Sequence, residues 1–446
     1  MDNKTIYALS TVYGKSGIAV IRISGKEVLN IIRNITKIDI NKIKPRYAYF
    51  TDIFDIKENT ILDKALILYF KGPYSFTGED VLEIQCHGSK AVLNSVFKLL
   101  SSAENVRLAE PGEFSKRAFY NNKMDLTEAE GLADLIDAET KEQQKYAINQ
   151  LSGNLKNLYS SWRKNLVEVL SFLEAYIDFP DEDIPDDLSQ KILNTVFKTK
   201  EEIKDHLNKN NMVEQLKNGF RIVIAGETNS GKSSLINALT QSNTMIVSDI
   251  AGTTRDSVDI NLDIKGYPII ITDTAGIRKT DDKIEKIGID IAIDKIKKAD
   301  IVLALYDASK GAFNDKLLKD IPQNKIIFVA NKVDKISDNN KDIIKNKGHM
   351  LISAKYGDGL DILINAIVSY IEENYFSFSN YLITRERYRI SLQNCLSCLE
   401  VFSLNKEIEL AAEDIRLACR NIGCITGDVS IEEVLDNIFS NFCIGK

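Results

Sequence analysis

Gly226-Glu-Thr-Asn-Ser-Gly-Lys-Ser233 lies between an apolar run, Phe220 to Ala225, and a helical pattern, Ser234 to Leu239. A phosphate-binding loop requires that strand–loop–helix setting, because glycines let the backbone wrap phosphates and the helix start supplies N–H groups and positive potential. In such a loop Lys232 reaches the β- and γ-phosphates and the Ser233 hydroxyl ligates Mg²⁺. Further short buried-strand runs follow, spaced by helices: Pro268 to Ile271, Ile301 to Tyr306, Ile326 to Ala330 and Met350 to Ile352. This alternation predicts a doubly wound α/β domain over residues 218–375.

Three more motifs stand at the ends of those strands. Asp273-Thr-Ala-Gly276 places a carboxylate within reach of Mg²⁺ through water and an N–H that can sense a γ-phosphate. Asn331-Lys-Val-Asp334 offers two carboxylate acceptors to the two donors on a guanine edge, which adenine cannot match, while Lys332 can lie over the ring. Ser353-Ala-Lys355 closes the base pocket. The order and spacing resemble the translation-factor-related class of GTPases and imply a Ras-like P-loop domain. Position 277, where a Ras-like enzyme keeps a water-orienting Gln, is Ile277, so hydrolysis is organised differently. Asn229 in the phosphate loop is a candidate to hold a monovalent cation, and a threonine of Ser248-Asp-Ile-Ala-Gly-Thr-Thr-Arg-Asp256 can complete the Mg²⁺ shell.

Outward from this domain the pattern changes on both sides. Residues 1–119 mix strand candidates (Gly17 to Ser24, Ala65 to Phe70, Val81 to Cys86) with a helix from Ala91 to Leu100, which predicts a small α+β domain. Residues 120–217 and 376–446 read as amphipathic helices, interrupted by an acidic loop from Asp178 to Asp187, and are inferred to form one helical bundle into which the α/β domain is inserted. With 446 residues, three domains agree with about 150 residues per domain. The 7 Pro, 23 Gly and 44% apolar content argue against a collagen-like or disordered chain. No stretch reaches the roughly 18 apolar residues of a membrane span, and 6 Cys suit a reducing cytoplasm. A net charge of −7 disfavours broad nucleic-acid affinity but leaves room for a local basic patch that holds RNA.

Beyond the generic motifs, Ser75-Phe-Thr-Gly-Glu-Asp-Val-Leu-Glu83, Pro111-Gly-Glu-Phe-Ser115, Asp249 to Asp256 and the terminal Phe442-Cys-Ile-Gly-Lys446 make the whole chain resemble the MnmE (TrmE) family of tRNA wobble-uridine modification GTPases. Departures from the family pattern fall at Glu227, Thr228 and Ser230, variable positions of the phosphate loop.

The resemblance implies a nucleotide site made of Asn229, Ser230, Gly231, Lys232, Ser233 and Ser234; of Ser248, Asp249, Ile250, Ala251, Gly252, Thr253 and Thr254; of Asp273, Thr274, Ala275 and Gly276; and of Asn331, Lys332, Asp334, Ser353, Ala354 and Lys355. It implies K⁺ held by Asn229, Ser248, Thr253 and the Ile250 carbonyl, Mg²⁺ held by Ser233 and Thr254, and Glu285 as the water-orienting general acid/base. It further implies hydrolysis activated by pairing of G domains in a homodimer, and a folate resembling 5-formyltetrahydrofolate at Arg22, Glu83, Lys123 and Lys446. The partners so implied are tRNA and MnmG (GidA), an FAD-containing protein, in a heterotetramer. Together they would add an aminomethyl or carboxymethylaminomethyl group at carbon 5 of the wobble uridine.

Read from the residues alone, Arg22 and Glu83 each point opposite apolar neighbours on a strand, as a solvated face also would. Cys443 is either a reactive thiol near Lys446 or a small apolar residue beside Phe442. Cys395, Cys398, Cys419 and Cys424 sit in helical patterns that favour core packing over zinc, and His87, His206 and His349 are far apart in sequence. Two rival functions compete: a GTP-operated switch for a ribosomal or membrane partner, and a standalone folate transferase. Cys443, Lys446, Arg22, Glu83 and Lys123 argue against the first, and the GTPase motifs against the second.

Overall fold

A computed structural model describes residues 3–178, 186–209, 214–245, 259–273, 293–311, 318–319, 321–376, 383, 385–429, 432–440 and 442–445. The chain divides into two compact units, Met1–Ala133 with Gln150–Val167 and Cys419–Lys446, and Asp134–Asn149 with Glu168–Ala418.

The first unit is built on six strands: β1 (Thr5–Leu9), β2 (Ser16–Ser24), β3 (Ala48–Asp55), β4 (Thr60–Phe70), β5 (Val81–Gly88) and β6 (Val106–Leu108). They lie in the order β3-β4-β5-β2-β1-β6, with β1 and β6 parallel and the other pairs antiparallel. Alternation decides which face is buried. Ile21, Ile23, Ile67 and Ile84 pack with Val28, Ile31, Ile32 and Ile35 of helix Val28–Ile35 and with Leu93, Val96 and Leu100 of helix Lys90–Ser101. Arg22 and Glu83 are opposite each other in the β2–β5 register and, being one residue out of phase with the isoleucines, fall on the other face. A second cluster joins Leu126 and Ala129 of helix Leu126–Ile136 to Leu435, Phe439 and Phe442 near the C-terminus.

The second unit holds seven strands: β7 (Phe220–Ala225), β8 (Thr244–Met245), β9 (Asp259–Ile264), β10 (Tyr267–Asp273), β11 (Ile301–Asp307), β12 (Ile326–Asn331) and β13 (Met350–Leu351). Their order is β13-β12-β11-β7-β10-β9-β8; β13 through β10 are parallel, and the hairpin edge of β9 and β8 is antiparallel. Successive residues of the central strands enter opposite cores. Ile222, Ile224, Leu303 and Leu305 pack with Leu235, Leu239, Leu363 and Ile367, whereas Val223, Ala225, Val302 and Ala304 pack with Ile296, Ala299 and Leu318. Burial on both faces is why these strands read as continuous apolar runs. The helical blocks, shared between the two units, include the long helices Asn154–Asp178, Asp186–Lys209, Glu386–Val401 and Ile408–Thr426. Among the described residues no helix is long and apolar enough to cross a membrane.

Candidate active site

Strand β7 runs into the phosphate loop, and helix Lys232–Ser242 leaves it. Two residues bend the chain through left-handed backbone: Asn229 at φ +65° and Gly231 at φ +101°. Asparagine tolerates that region, but at 231 a Cβ would collide with the Asn331 amide nitrogen, so only glycine lets the loop and the base-binding segment meet. Lys232 is buried, its Nζ donating to the carbonyls of Gly226 at 2.7 Å and Glu227 at 3.0 Å. The next two residues, Ser233 and Ser234, are exposed in the first helical turn, where N–H groups without intrahelical partners point outward.

The segment after β12 is tied to this loop by one side chain. Asn331 is buried; its Nδ2 donates to the Ser230 carbonyl at 2.9 Å, and its Oδ1 accepts from the Ala354 amide at 3.0 Å and the Lys332 amide at 2.8 Å. Asn331 therefore links all three sequence-distant loops. Asp334 is exposed and accepts from Ser353 Oγ at 2.7 Å, a bond that, ahead of its own backbone amide and the charges of Lys335 and Lys355, holds the carboxyl below its ordinary value. The carboxylate thus stays an acceptor, as guanine recognition needs. Lys355 is exposed, with Nζ 3.1 Å from the Tyr356 hydroxyl. A cavity of about 180 Å³ opens between Gly231, Ser234, Lys332, Asp334, Ala354 and Lys355.

Lys332 adopts φ +65°, and its Nζ donates to the Asn229 carbonyl and to Asp307 Oδ2, both at 2.7 Å. Asp307 ends β11 and is paired in register with Asn331. Its other oxygen accepts from the Ser309 amide at 3.0 Å and hydroxyl at 2.7 Å. Burial would raise this carboxyl, but the bonds from Lys332 and Ser309 more than reverse that and bring it to about 2. The motif reading does not single out Asp307. Its signal in the sequence is a carboxylate closing a six-residue apolar run, the place Asp273 and Asn331 occupy on neighbouring strands.

Asp273 closes β10, paired with Ile224 of β7. Ser248, Asp249, Ile250, Ala251, Gly252, Thr253, Thr254, Thr274, Ala275, Gly276, Glu285 and Lys446 lie outside the described residues.

In the first unit, Glu83 Oε1 accepts from Arg22 Nε at 3.1 Å and Nη2 at 3.0 Å, and the guanidinium stands 5.4 Å from the Phe76 ring centre and 5.9 Å from that of Phe114. Glu83 Oε2 has no hydrogen-bond partner among the described residues. The C-terminal tail comes to the same place. Gly445, at φ +100°, offers its carbonyl to Ser10 Oγ at 3.1 Å and to Arg22 Nη1 at 3.5 Å. Phe442 is buried behind it, and Cys443 is an exposed free thiol. Lys123 is exposed, its stem lying where a Cβ on Gly78 would come within 3.2 Å of its Cε.

The two N-terminal motifs meet in a partly buried charge network that their spacing does not announce. Arg117 donates to Glu79 at 3.0 and 3.2 Å and to Glu113 at 3.0 Å, and Arg107 grips Glu113 with two bonds of 2.7 Å. Burial would raise the Glu113 carboxyl, yet Arg107, the Glu110 amide and Arg117 hold it below its ordinary value. Glu79 also accepts from Ser24 Oγ at 2.7 Å, and so anchors the loop that carries Phe76.

Cys395 and Cys419 are buried, Cys398 and Cys424 half-buried, and among the described residues no group of three or more His, Cys, Asp and Glu is placed to hold a metal ion.

Residues 5–123 match the family model for the GTP-binding protein TrmE N-terminus, and residues 126–443 match that for the MnmE helical domain. The chain is 46% identical over 448 residues to the tRNA modification GTPase MnmE of Rickettsia bellii (strain RML369-C), covering 99% of this chain and 100% of that one. It is 45% identical over 449 residues to the protein of that name from Orientia tsutsugamushi (strain Boryong), covering 100% of both. Among solved structures it is similar to a variant of Era from Aquifex aeolicus bound to GDP and AlF4⁻, at 28% identity and a TM-score of 0.28, over 41% of this chain and 67% of that one. Since two family models tile it nearly from end to end and full-length relatives match it throughout, the chain belongs to the MnmE (TrmE) family of GTPases.

Proposed function

We propose that this chain hydrolyses GTP to drive modification of the wobble uridine of certain tRNAs, acting in the cytoplasm as a homodimer with an FAD-containing partner of the MnmG type in a heterotetramer. The observation that carries the nucleotide half is Asn331, whose side chain bridges the Ser230 carbonyl and the Ala354 amide and so assembles three motifs from separate parts of the sequence. Asp334, acceptor-only and oriented by Ser353, takes the two guanine donors, and the side of the cavity formed by Lys332 meets the base. Lys232, held by two loop carbonyls, is placed to transfer its donors to phosphate oxygens, and Ser233 presents a hard oxygen suited to Mg²⁺ together with Thr254. Asn229, exposed at the tip of the loop, fits a K⁺ shell completed by Ser248, Ile250 and Thr253. The bound cations would supply positive charge to the phosphoryl oxygens, the part an arginine finger plays elsewhere. Glu285 would orient the attacking water.

The folate half rests on Arg22 and Glu83. A cation against two aromatic rings and an open carboxylate oxygen beside it suit the planar, hydrogen-bonding edge of a pterin. Lys123 and Lys446 would meet the folate's carboxylates, and the one-carbon unit it carries would become the added group of the uridine, an aminomethyl or carboxymethylaminomethyl substituent. Cys443, a free and exposed thiol on the tail, would be available to that chemistry.

Steady-state GTP hydrolysis in matched KCl and NaCl, with Asn229→Ala beside the native chain, tests the cation reading. A strong preference for K⁺ that the substitution abolishes is the expected result. Equal rates in the two salts would leave Asn229 a structural loop residue and move the chain toward a simple switch.

A further inference from the structure

We infer that Asp307 is a positioning residue of the guanine site, which fixes the Lys332 ammonium so that its stem stays along the base cavity and its head ties down the Asn229 carbonyl. The inference rests on the reading of Asn331 to Asp334 as the guanine loop. Lysine carries its charge on a flexible four-carbon stem, so a stem that is to lie flat against a purine ring must be held at both ends. Here the near end is set by the Asn331 side chain, whose Oδ1 accepts from the Lys332 amide and stabilises its left-handed backbone. The far end is set by Asp307, whose Oδ2 is 2.7 Å from the ammonium.

Asp307 is itself immobilised. It is buried at the end of a strand whose other six residues are all buried, and its second oxygen is held by the Ser309 amide and hydroxyl. Because β11 and β12 pair Asp307 with Asn331, the strand ladder fixes the anchor relative to the loop it serves. The same ammonium donates to the carbonyl of Asn229, a residue in left-handed backbone, so the base-binding segment and the tip of the phosphate loop share one charge. Loss of the carboxylate would release both contacts while leaving the acceptor groups of Asp334 in place.

The test is a double-mutant cycle on the full chain, reading the affinity and dissociation rate of a fluorescent GDP, with steady-state KM and kcat for GTP. Asp307→Asn keeps the shape and one acceptor but turns a donor toward the ammonium; it is expected to weaken GDP by roughly tenfold, seen in the dissociation rate and in KM more than in kcat. Lys332→Met is expected to weaken GDP at least as much, and the double variant to stand within about twofold of Lys332→Met alone, a non-additivity that general loosening of the fold would not produce. Ser309→Ala, on an exposed turn, is the second variant should Asp307→Asn fail to fold; a loss of about twofold to threefold that disappears in the Lys332→Met background supports the same chain of contacts. Full affinity in Asp307→Asn, or losses that simply add, overturns the positioning role while the guanine loop stands. No loss of affinity in Lys332→Met itself means that the guanine-loop reading has failed and this inference with it.

Discussion

The nucleotide site and the tail-docking site both gather charged side chains onto a sheet, yet they use the sheet differently. In the second unit Asp273, Asp307 and Asn331 stand at the carboxyl ends of parallel strands, where the backbone stops pairing and loops begin. Each motif there is a contiguous string, because a loop that wraps a phosphate or a base needs neighbouring residues to do so. In the first unit Arg22 and Glu83 lie within strands, on the face of an antiparallel ladder that Phe76 and Phe114 partly cover, and the third member, Gly445, comes from the other end of the sequence. Strand-end sites are written in runs of sequence; sheet-face sites are written in register, which a single sequence does not display.

That contrast can be broken most sharply at Asp334. Asp334→Asn exchanges an acceptor pair for an acceptor and a donor, so one of the two guanine donors meets a donor. GTP affinity is expected to fall on the order of a thousandfold, with binding of xanthosine triphosphate gained in exchange. Isothermal titration with both nucleotides checks this, and unaltered preference for GTP would remove Asp334 from the base edge.

In the first unit the strongest effect belongs to stability rather than binding. Arg117→Met leaves half-buried Glu79 without its cation and Glu113 with Arg107 alone, at a cost of about 2–3 kcal/mol to folding. The sign of the pH effect follows from Glu113. A carboxyl held below its ordinary 4.5 in the folded chain adds stability that is complete above that value and is lost as the pH falls beneath it. Arg107 and the Glu110 amide still depress the carboxyl in the variant, so acid narrows the gap between native chain and variant only by the share that Arg117 contributes. Urea unfolding at pH 7 and pH 4 measures both, and a gap independent of pH would mean that Glu113 is not the group that responds.

What was legible in the sequence follows the same division. The run Phe220 to Ala225 coincides with β7, and the other parallel strands fall within a residue or two of their apolar runs, because burial on both faces leaves little polar interruption beyond the exposed Arg221 of β7. Strands β1, β3 and β6 of the first unit, and β8 and β9 of the second, are absent from the strand runs that the sequence shows. Five- and three-residue strands are too short to show a period, and β3 is an edge strand whose Phe50 is exposed while Ile53 is buried, so its alternation is blurred. Helix Val28–Ile35 carries a full apolar stripe at Val28, Ile31, Ile32 and Ile35, but eight residues pass easily for part of a loop. The Glu79–Arg117 and Arg107–Glu113 bonds join residues whose meeting depends on tertiary packing, for which no local pattern exists. Asp307 was legible in principle: a charge closing a wholly apolar strand is costly unless it has a partner.

The smallest expected effect is also the one that most directly probes the tail. Gly445 holds left-handed backbone at φ +100°, and a Cβ there would collide with the Leu9 carbonyl oxygen, so Gly445→Ala cannot keep the present path. The contacts at risk are long ones, 3.1 Å from Ser10 and 3.5 Å from Arg22, while the buried Phe442 ring upstream still holds the segment to the core. The loss should therefore be local, about 1–2 kcal/mol, and confined to the last residues. Hydrogen exchange in the peptide beyond Phe442 should quicken by roughly fivefold to thirtyfold, with global unfolding nearly unchanged. The Arg22–Glu83 pair should survive, since its register comes from β2 and β5 and owes nothing to the tail. Unchanged exchange at the C-terminus would show that Phe442 alone secures the tail; a fall in global stability would show that the tail is part of the sheet's fold, which would make the two regions alike where they now differ.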